Sequence, residues 1–211
     1  VQVELLVVDR PVNLVSERID LAVRITNQVD EGLVARRLAV CRSILCASPD
    51  YLRRASSPVS LEALGTHRII AHSGLPASAM QVRDAATGKS VPLPLQGILS
   101  TNETSVLHAA AIAGAGIAML PTYYVGADLA SGRLQQVLAD HALEPLGIHA
   151  VYASRRYQPK ALRHLIDFLA DRFGGEQPPW DVASGPSIPP AGRRKPAQRS
   201  GTTTLRSSAA R

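Results

Sequence analysis

The residues whose types and spacing could do chemistry are concentrated in residues 100–124, STNETSVLHAAAIAGAGIAMLPTYY. Asn102 stands just ahead of an Ala-rich stretch. As a helix N-cap it would leave the backbone N–H groups of Glu103, Thr104 and Ser105 pointing outward with the partial positive charge of a helix start. Donors of that kind can hold an anion. Gly114 and Gly116 then end the helix and let the chain reverse into the apolar run 117–120, which stops at Pro121. The same pattern also serves an ordinary helix–turn–strand connection in any α/β domain.

No catalytic signature accompanies this segment. The chain has no Gly-x-Ser-x-Gly elbow, no Gly-x-x-x-x-Gly-Lys-Ser/Thr loop and no His-Glu-x-x-His. Its six histidines (67, 72, 108, 141, 149 and 164) show neither i, i+4 spacing nor a nearby cysteine pair of the kind zinc needs. The Gly-x-Gly within 113–118 follows a helix and precedes a strand, the reverse of the dinucleotide-binding order. Cys41 and Cys46 lie in one apolar, strand-like stretch and read as buried thiols rather than a disulfide framework or a metal site. The expectation is a binding module with no catalytic residue, no metal and no cofactor.

The elements that must position these residues alternate between strand and helix. Strands are expected at 1–7, 20–25, 34–46, 68–71, 117–120, 135–138 and 148–153, with short β segments over 79–100 and a hairpin-type turn at Thr87-Gly88-Lys89. Helices are expected at 11–17, 49–54, 121–130 and 159–173, with a capped turn at 60–64. In the last helix Leu162, Leu165, Ile166, Leu169 and Phe173 share one face. Alternation of this kind predicts parallel sheets with helices on both sides. Ligands in open α/β sheets sit beyond the carboxyl ends of strands, beside helix starts. That rule selects Thr26 and Asn27 after one strand, His72 and Ser73 after another, Thr101, Asn102, Thr104 and Ser105 at the helix start, and Pro121 with Thr122 after a third. His72 could meet a ligand carboxylate or be satisfied locally. Arg24 could reach a ligand or pair with Asp20 or Glu17. His108 reads as part of a packing face, and Arg36-Arg37 and Arg155-Arg156 as solvated.

Composition fits a globular chain: 211 residues, 45% hydrophobic and 4% aromatic, so its core must be aliphatic. Residues 174–211 hold six basic side chains (Arg193, Arg194, Lys195, Arg199, Arg206, Arg211) against Glu176 and Asp181, which is +4 of the net +6. Residues 1–173 are left with +2, too little for a nucleic-acid footprint. The stretch 174–211 is rich in Pro, Gly, Ser and Thr with little aliphatic bulk, which predicts a disordered basic tail. No export signal and no apolar run near the roughly 18 residues of a membrane span is evident, so a cytoplasmic address is expected.

Val3-Glu4-Leu5 with Asp9-Arg10, Leu14-Val15, and Ile19 through Ile25 (IDLAVRI) resemble the effector-binding domain of LysR-type bacterial transcriptional regulators. The resemblance continues through Leu33 to Leu38, Cys46 to Leu52, Leu64 to His67, Gly132-Arg133-Leu134, Val151-Tyr152 and Leu162 to Leu169, in family order across residues 1–173. It implies an α/β fold of two Rossmann-like subdomains, type II periplasmic-binding-protein-like. One lobe would be residues 1–47 plus 148–173 and the other 48–147, with crossings at Ala47-Ser48 and Gly147-Ile148. The implied function is sensing a small, anionic effector between the lobes and forming a homo-oligomer, dimer or tetramer. DNA would be met only through the family's amino-terminal winged helix-turn-helix, which these blocks do not include, nor do they include the first strand and helix of the effector domain. The alternatives are a free-standing solute-binding protein of the same fold and an inactive fragment of a regulator.

Overall fold

A computed structural model describes residues 2–8, 10, 12–75, 80–83, 89–93, 97–154 and 158–182. In chain order the elements are β1 (Ala22–Ile25), β2 (Val34–Cys41), β3 (Ser43–Ala47), α1 (Pro49–Ala55), a 3-10 turn (Glu62–Thr66), β4 (Ile69–His72), β5 (Gln81–Arg83), β6 (Ser90–Pro92) and β7 (Gly97–Thr101). There follow α2 (Thr104–Ile112), β8 (Ile117–Pro121), α3 (Thr122–Ala130), β9 (Gln135–Gln136), β10 (Leu146–Tyr152), α4 (Lys160–Phe173) and α5 (Pro179–Val182).

The strands form a three-stranded sheet ordered β1-β10-β2, a five-stranded sheet ordered β7-β4-β8-β3-β9, and the pair β5-β6. The expectation of parallel sheets needs correction. Among the described strands only β4 with β7 and β4 with β8 form parallel ladders; the others are antiparallel. The strands that enter from the other sheet, β3 beside β8 and β10 beside β1 and β2, run against their neighbours. α2 joins β7 to β8, whereas β2 and β3 are separated by Arg42 alone.

That short link also moves the expected first crossing. The SILCA run pairs with β8 from Ser43↔Pro121 to Cys46↔Ala118, so the chain changes sheets at Arg42 and not at Ala47-Ser48. Ser48 instead caps α1, its hydroxyl accepting from the Tyr51 N–H. On the return, Ala142 and Glu144 still bond to β5, through the Arg83 N–H donating to the Ala142 carbonyl and the Glu144 N–H donating to the Gln81 carbonyl. Leu146 opens β10, so the second passage falls at Pro145.

Residues 2–8 are not a strand. They are exposed, Leu5 at 82% and Val7 at 83%, because an extended segment needs a ladder partner and no described strand supplies one. The helix expected at 11–17 is a turn: Asn13 Oδ1 accepts the N–H groups of Val15 and Ser16, which competes with helix continuation, and Leu14 is buried beneath it. The expected strand 135–138 shortens to Gln135–Gln136, where Leu138 turns away with φ 52°. The turn at Thr87-Gly88 lies outside the described residues.

Two clusters pack the faces of the five-stranded sheet, one under α2 and α3 (Ile44, Leu107, Leu120, Val125, Leu134) and one under α1 and the 3-10 turn (Leu45, Tyr51, Leu64, Ile69, Val82). A third lies between β2, β10 and α4, whose Leu162, Ile166, Leu169 and Phe173 turn inward as the helical spacing predicts. Residues 174–182 correct the expected tail boundary. Gly174 ends α4 in the left-handed region at φ 74°, Gly175 pairs with Ala39, and Trp180 lies against Phe173. Trp180, the paired Asp181 and the buried Pro178 anchor this segment. The rest of the expected tail, 183–211, lies outside the described residues.

Redrawing that boundary moves all of the +6 charge into 183–211, which holds six basic residues and no acidic one. DNA retention by the chain should therefore be independent of sequence and fall about 10³-fold between 50 and 200 mM salt. A protein ending at 182 should lose it in a mobility-shift assay. Sequence-selective retention by that shorter protein would contradict the reading. Cys41 and Cys46 are free and buried, and burial pushes their thiols up to about 11 and about 12. Both should react slowly with a disulfide reagent at pH 8 and promptly once urea unfolds the chain.

Candidate functional site

β4, β7 and β8 run in one direction, so their carboxyl ends emerge on one side of the five-stranded sheet. His72 stands opposite Thr101 in register, and the Ser73 N–H donates to the Thr101 carbonyl at 2.9 Å. His72, Ser73 and Thr101 therefore adjoin one another. Pro121 ends β8 on the same side of the sheet. The Thr101 Oγ1 accepts the Glu103 N–H at 3.1 Å, which carries the turn one residue further than the sequence suggests.

Glu103, not Asn102, is consequently the N-cap of α2. Its Oε1 accepts from the Ser105 N–H at 3.2 Å and from the Ser105 hydroxyl at 2.9 Å. These bonds hold the Glu103 carboxyl below its ordinary value of 4.5, with the charge of His72 a lesser contribution. Asn102 is exposed and Thr104 half-buried. The place expected for a bound anion thus already has a carboxylate beside it, supplied by the chain. His72 is satisfied in part locally, its Nδ1 within 3.1 Å of the Gly74 N–H.

Gly114 and Gly116 do different work beyond α2. Gly114 turns the chain at φ 75°, and its carbonyl accepts from Arg54. At Gly116 the constraint is space, for a Cβ there would lie 2.3 Å from the Arg68 carbonyl oxygen. That approach lets the Ile117 N–H reach Arg68 and start β8 beside β4.

Thr26 and Asn27 follow β1 at the end of the three-stranded sheet where β2 stops and β10 begins, Cys41 lying opposite Leu146. Thr26 is bonded within its own turn, to Gln28, and donates its N–H to Gly147. Asn27 uses both ends of its amide on the return passage, donating from Nδ2 to the Pro145 carbonyl at 3.0 Å and accepting from the Gly147 N–H at 2.9 Å. That geometry staples the crossing. Arg24 pairs with Asp30 at 2.7 Å and the Val12 carbonyl at 2.7 Å, so its role is the structural one, with partners other than Asp20 or Glu17.

His108 does more than pack. Its Nε2 lies 2.6 Å from Asp128 Oδ2, Arg133 lies 2.5 Å from Oδ1, and Tyr124 meets the imidazole edge-on, joining α2 to α3 around a carboxylate that is 2% exposed. The sequence signal for it was an aspartate three residues after Val125 on the apolar face of α3. Sequence reasoning also missed Arg42, Thr122 and Asp181 as a group. Their side chains meet where the first passage occurs, in a contact between residues far apart in the chain.

Among the described residues no cluster of His, Cys, Asp and Glu could hold a metal ion, and no helix is long and apolar enough to cross a membrane. A cavity of about 260 Å³ lies between β2, β10 and α4, lined by Arg36, Tyr152, Gln158, Arg163, Ile166 and Asp167. None of the expected site residues lines it.

Residues 1–174 match the LysR substrate binding domain. The chain belongs to that family. It is 34% identical over 182 residues to the HTH-type transcriptional regulator DmlR of Escherichia coli, covering 82% of this chain and 56% of that protein. It is also 34% identical over 180 residues to the HTH-type transcriptional regulator PtxR of Pseudomonas aeruginosa, covering 83% and 56%. The chain thus spans about half the length of the curated relatives it matches. The solved structure of CrgA, a LysR-type transcriptional regulator from Neisseria meningitidis, superposes with a TM-score of 0.67 at 31% identity over 77% of this chain and 55% of CrgA. The CrgA regulatory domain alone gives 0.66 at 30% identity over 76% and 78%. The fold is that of LysR regulatory domains, periplasmic-binding-protein-like, in a family of transcriptional regulators rather than enzymes.

This LysR domain should show its self-capped α2 in solution. Because the folded Glu103 carboxyl lies below 4.5, its contribution to stability is complete above that pH and is lost as pH falls through the lowered value. The Ser105 amide resonance should titrate with a midpoint below 4.5. In Glu103→Ala the same amide should respond more strongly to added sulfate than in the parent. An equal response would mean that the carboxylate does not compete for that donor.

Proposed function

We propose that the chain is the ligand-sensing part of a LysR-type transcriptional regulator and works in the cytoplasm, where DNA is met. A small anionic metabolite enters between two lobes, bonding Thr101, Ser105 and His72 on one side and reaching toward Thr26 on the other. Closure changes the angle between the lobes, and with it the way a homo-oligomer, dimer or tetramer, presents its DNA-binding segments. The observation that carries this reading is the grouping of polar strand ends on the sides of the two sheets where the chain passes between them, at Arg42 and Pro145. The regulator identity of the relatives favours it over a free-standing solute-binding protein.

Glu103 favours a second reading of the ligand's chemistry. Its carboxylate beside Ser105 suits a ligand that donates hydrogen bonds, such as a hydroxy or amino compound, unless the ligand's own carboxylate displaces it. A thermal-shift panel of carboxylates, their amides and matched hydroxylated compounds separates the two. Ligand at about 100 times its Kd stabilises a folded chain by about 2.7 kcal/mol, a shift of several degrees. Carboxylates should shift the transition and their amides should not. Thr101→Val should weaken the response about tenfold through the lost hydroxyl, whereas Asn102→Ala should leave it nearly unchanged. Binding by neither class, or equal loss in both variants, would remove the assignment of these strand ends.

A further inference from the structure

Residues 174–182 run from the end of α4 to α3, past the single residue that joins the two sheets. At the near end Gly175 extends the three-stranded sheet, its N–H donating to the Leu38 carbonyl at 3.0 Å and its carbonyl accepting from the Val40 N–H at 3.1 Å. At the far end Trp180 lies edge-on between Phe173 of α4, 5.7 Å away, and Tyr123 of α3, 5.9 Å away. Asp181 divides its carboxylate between two elements. Oδ2 accepts from the Arg42 guanidinium at 2.5 Å, and Oδ1 accepts from the Thr122 hydroxyl at 2.6 Å. Arg42 also donates to the Glu176 carbonyl at 3.2 Å, and its own carbonyl accepts from the Thr122 N–H at 2.9 Å. The pair is sheltered, with side-chain exposure of 16% for Arg42 and 11% for Asp181.

We propose that residues 174–182 are a strap that sets the angle between the two sheets, locked where Asp181 bonds Arg42 and Thr122. The two chain passages at Arg42 and Pro145 permit rotation about the line joining them. The strap adds a further tether beside the Arg42 passage, because α3 belongs with the five-stranded sheet while Phe173 and Gly175 belong with the three-stranded one. Rotation that carries α3 away from α4 must break the Thr122–Asp181 bond and separate Trp180 from Tyr123. A sheltered carboxylate with two short donors gives the lock a defined geometry, which a purely apolar contact would not. This inference requires no ligand and stands whether or not the proposed site is correct.

The test is a spin-label distance measurement on the full chain between Lys160→Cys on α4 and Ala130→Cys on α3, both exposed, with the two native thiols buried. The parent should give one narrow distribution. Thr122→Val, which removes the hydroxyl at constant volume, and Asp181→Asn should each add a longer, broader population while circular dichroism stays native. An unchanged distribution in folded Thr122→Val overturns the proposal. Trp180 is the chain's single tryptophan, so its emission supplies a readout on the parent alone. In rising urea the emission should shift to longer wavelength together with the broadening of the distance distribution. If the strap releases, by emission, while the distance holds, the sheets do not depend on it and the proposal is wrong even should both variants fail to fold.

Discussion

A chain that leaves one sheet and enters another through a single residue has only a narrow range of backbone paths at that point. Arg42 is that residue, and the elements around it meet its constraint in three ways. Its carbonyl is held by the N–H of Thr122, its guanidinium by Asp181 and the Glu176 carbonyl, and its neighbours are fixed in ladders on either side. Removing one partner of a nearly buried ion pair costs about 3–5 kcal/mol, since the other charge is then stranded. That is a large part of the roughly 5–15 kcal/mol by which a domain is stable. Arg36 with Asp167 is paired too, but with both side chains more than two-fifths exposed it contributes about 1 kcal/mol or less. The two pairs differ in worth because of where they stand.

What was legible in the sequence follows from how local each cause is. The face of α4, the extent of α3, the burial of both cysteines and the β-α-β order from β7 to β8 depend on local spacing, and spacing is visible in a sequence. The direction of β2 against β3 was not legible, because 34–46 reads as one extended run until something marks the corner. The mark is Arg42, a charge within VARRLAVCRSILCA, and its meaning depends on Asp181, far along the chain. Residues 2–8 failed for the same reason in reverse. VELLVV has every local property of a strand, but strand formation is decided by a partner.

The candidate site divides along the same line. That polar residues would gather at the ends of β4 and β7 could be read from strand order and the turn residues that follow. Which residue caps α2 could not, since Asn102 and Glu103 are both able to and the choice rests on the Thr101 hydroxyl taking the Glu103 N–H. Asn27 shows the limit most plainly. Its position after β1 made it a candidate for binding, and its amide is spent on Pro145 and Gly147, more than a hundred residues away.

A common property joins these groups. The polar atoms most suited to a ligand are already engaged by the chain: Ser105 by Glu103, His72 by Gly74, Thr26 by Gln28. A ligand that binds there exchanges hydrogen bonds and does not simply add them, so its net affinity is a small difference between two satisfied arrangements. That weakens binding, and it also makes binding informative. A ligand shifts an equilibrium only by the difference in its free energy with the two states, and a site whose own contacts must be released ties occupancy to rearrangement. Under the proposed function the released contacts lie beside the two chain passages, so rearrangement at the site and rotation between the sheets would be one event. Sensing at such a site would depend as much on the internal bonds a ligand replaces as on the ones it makes.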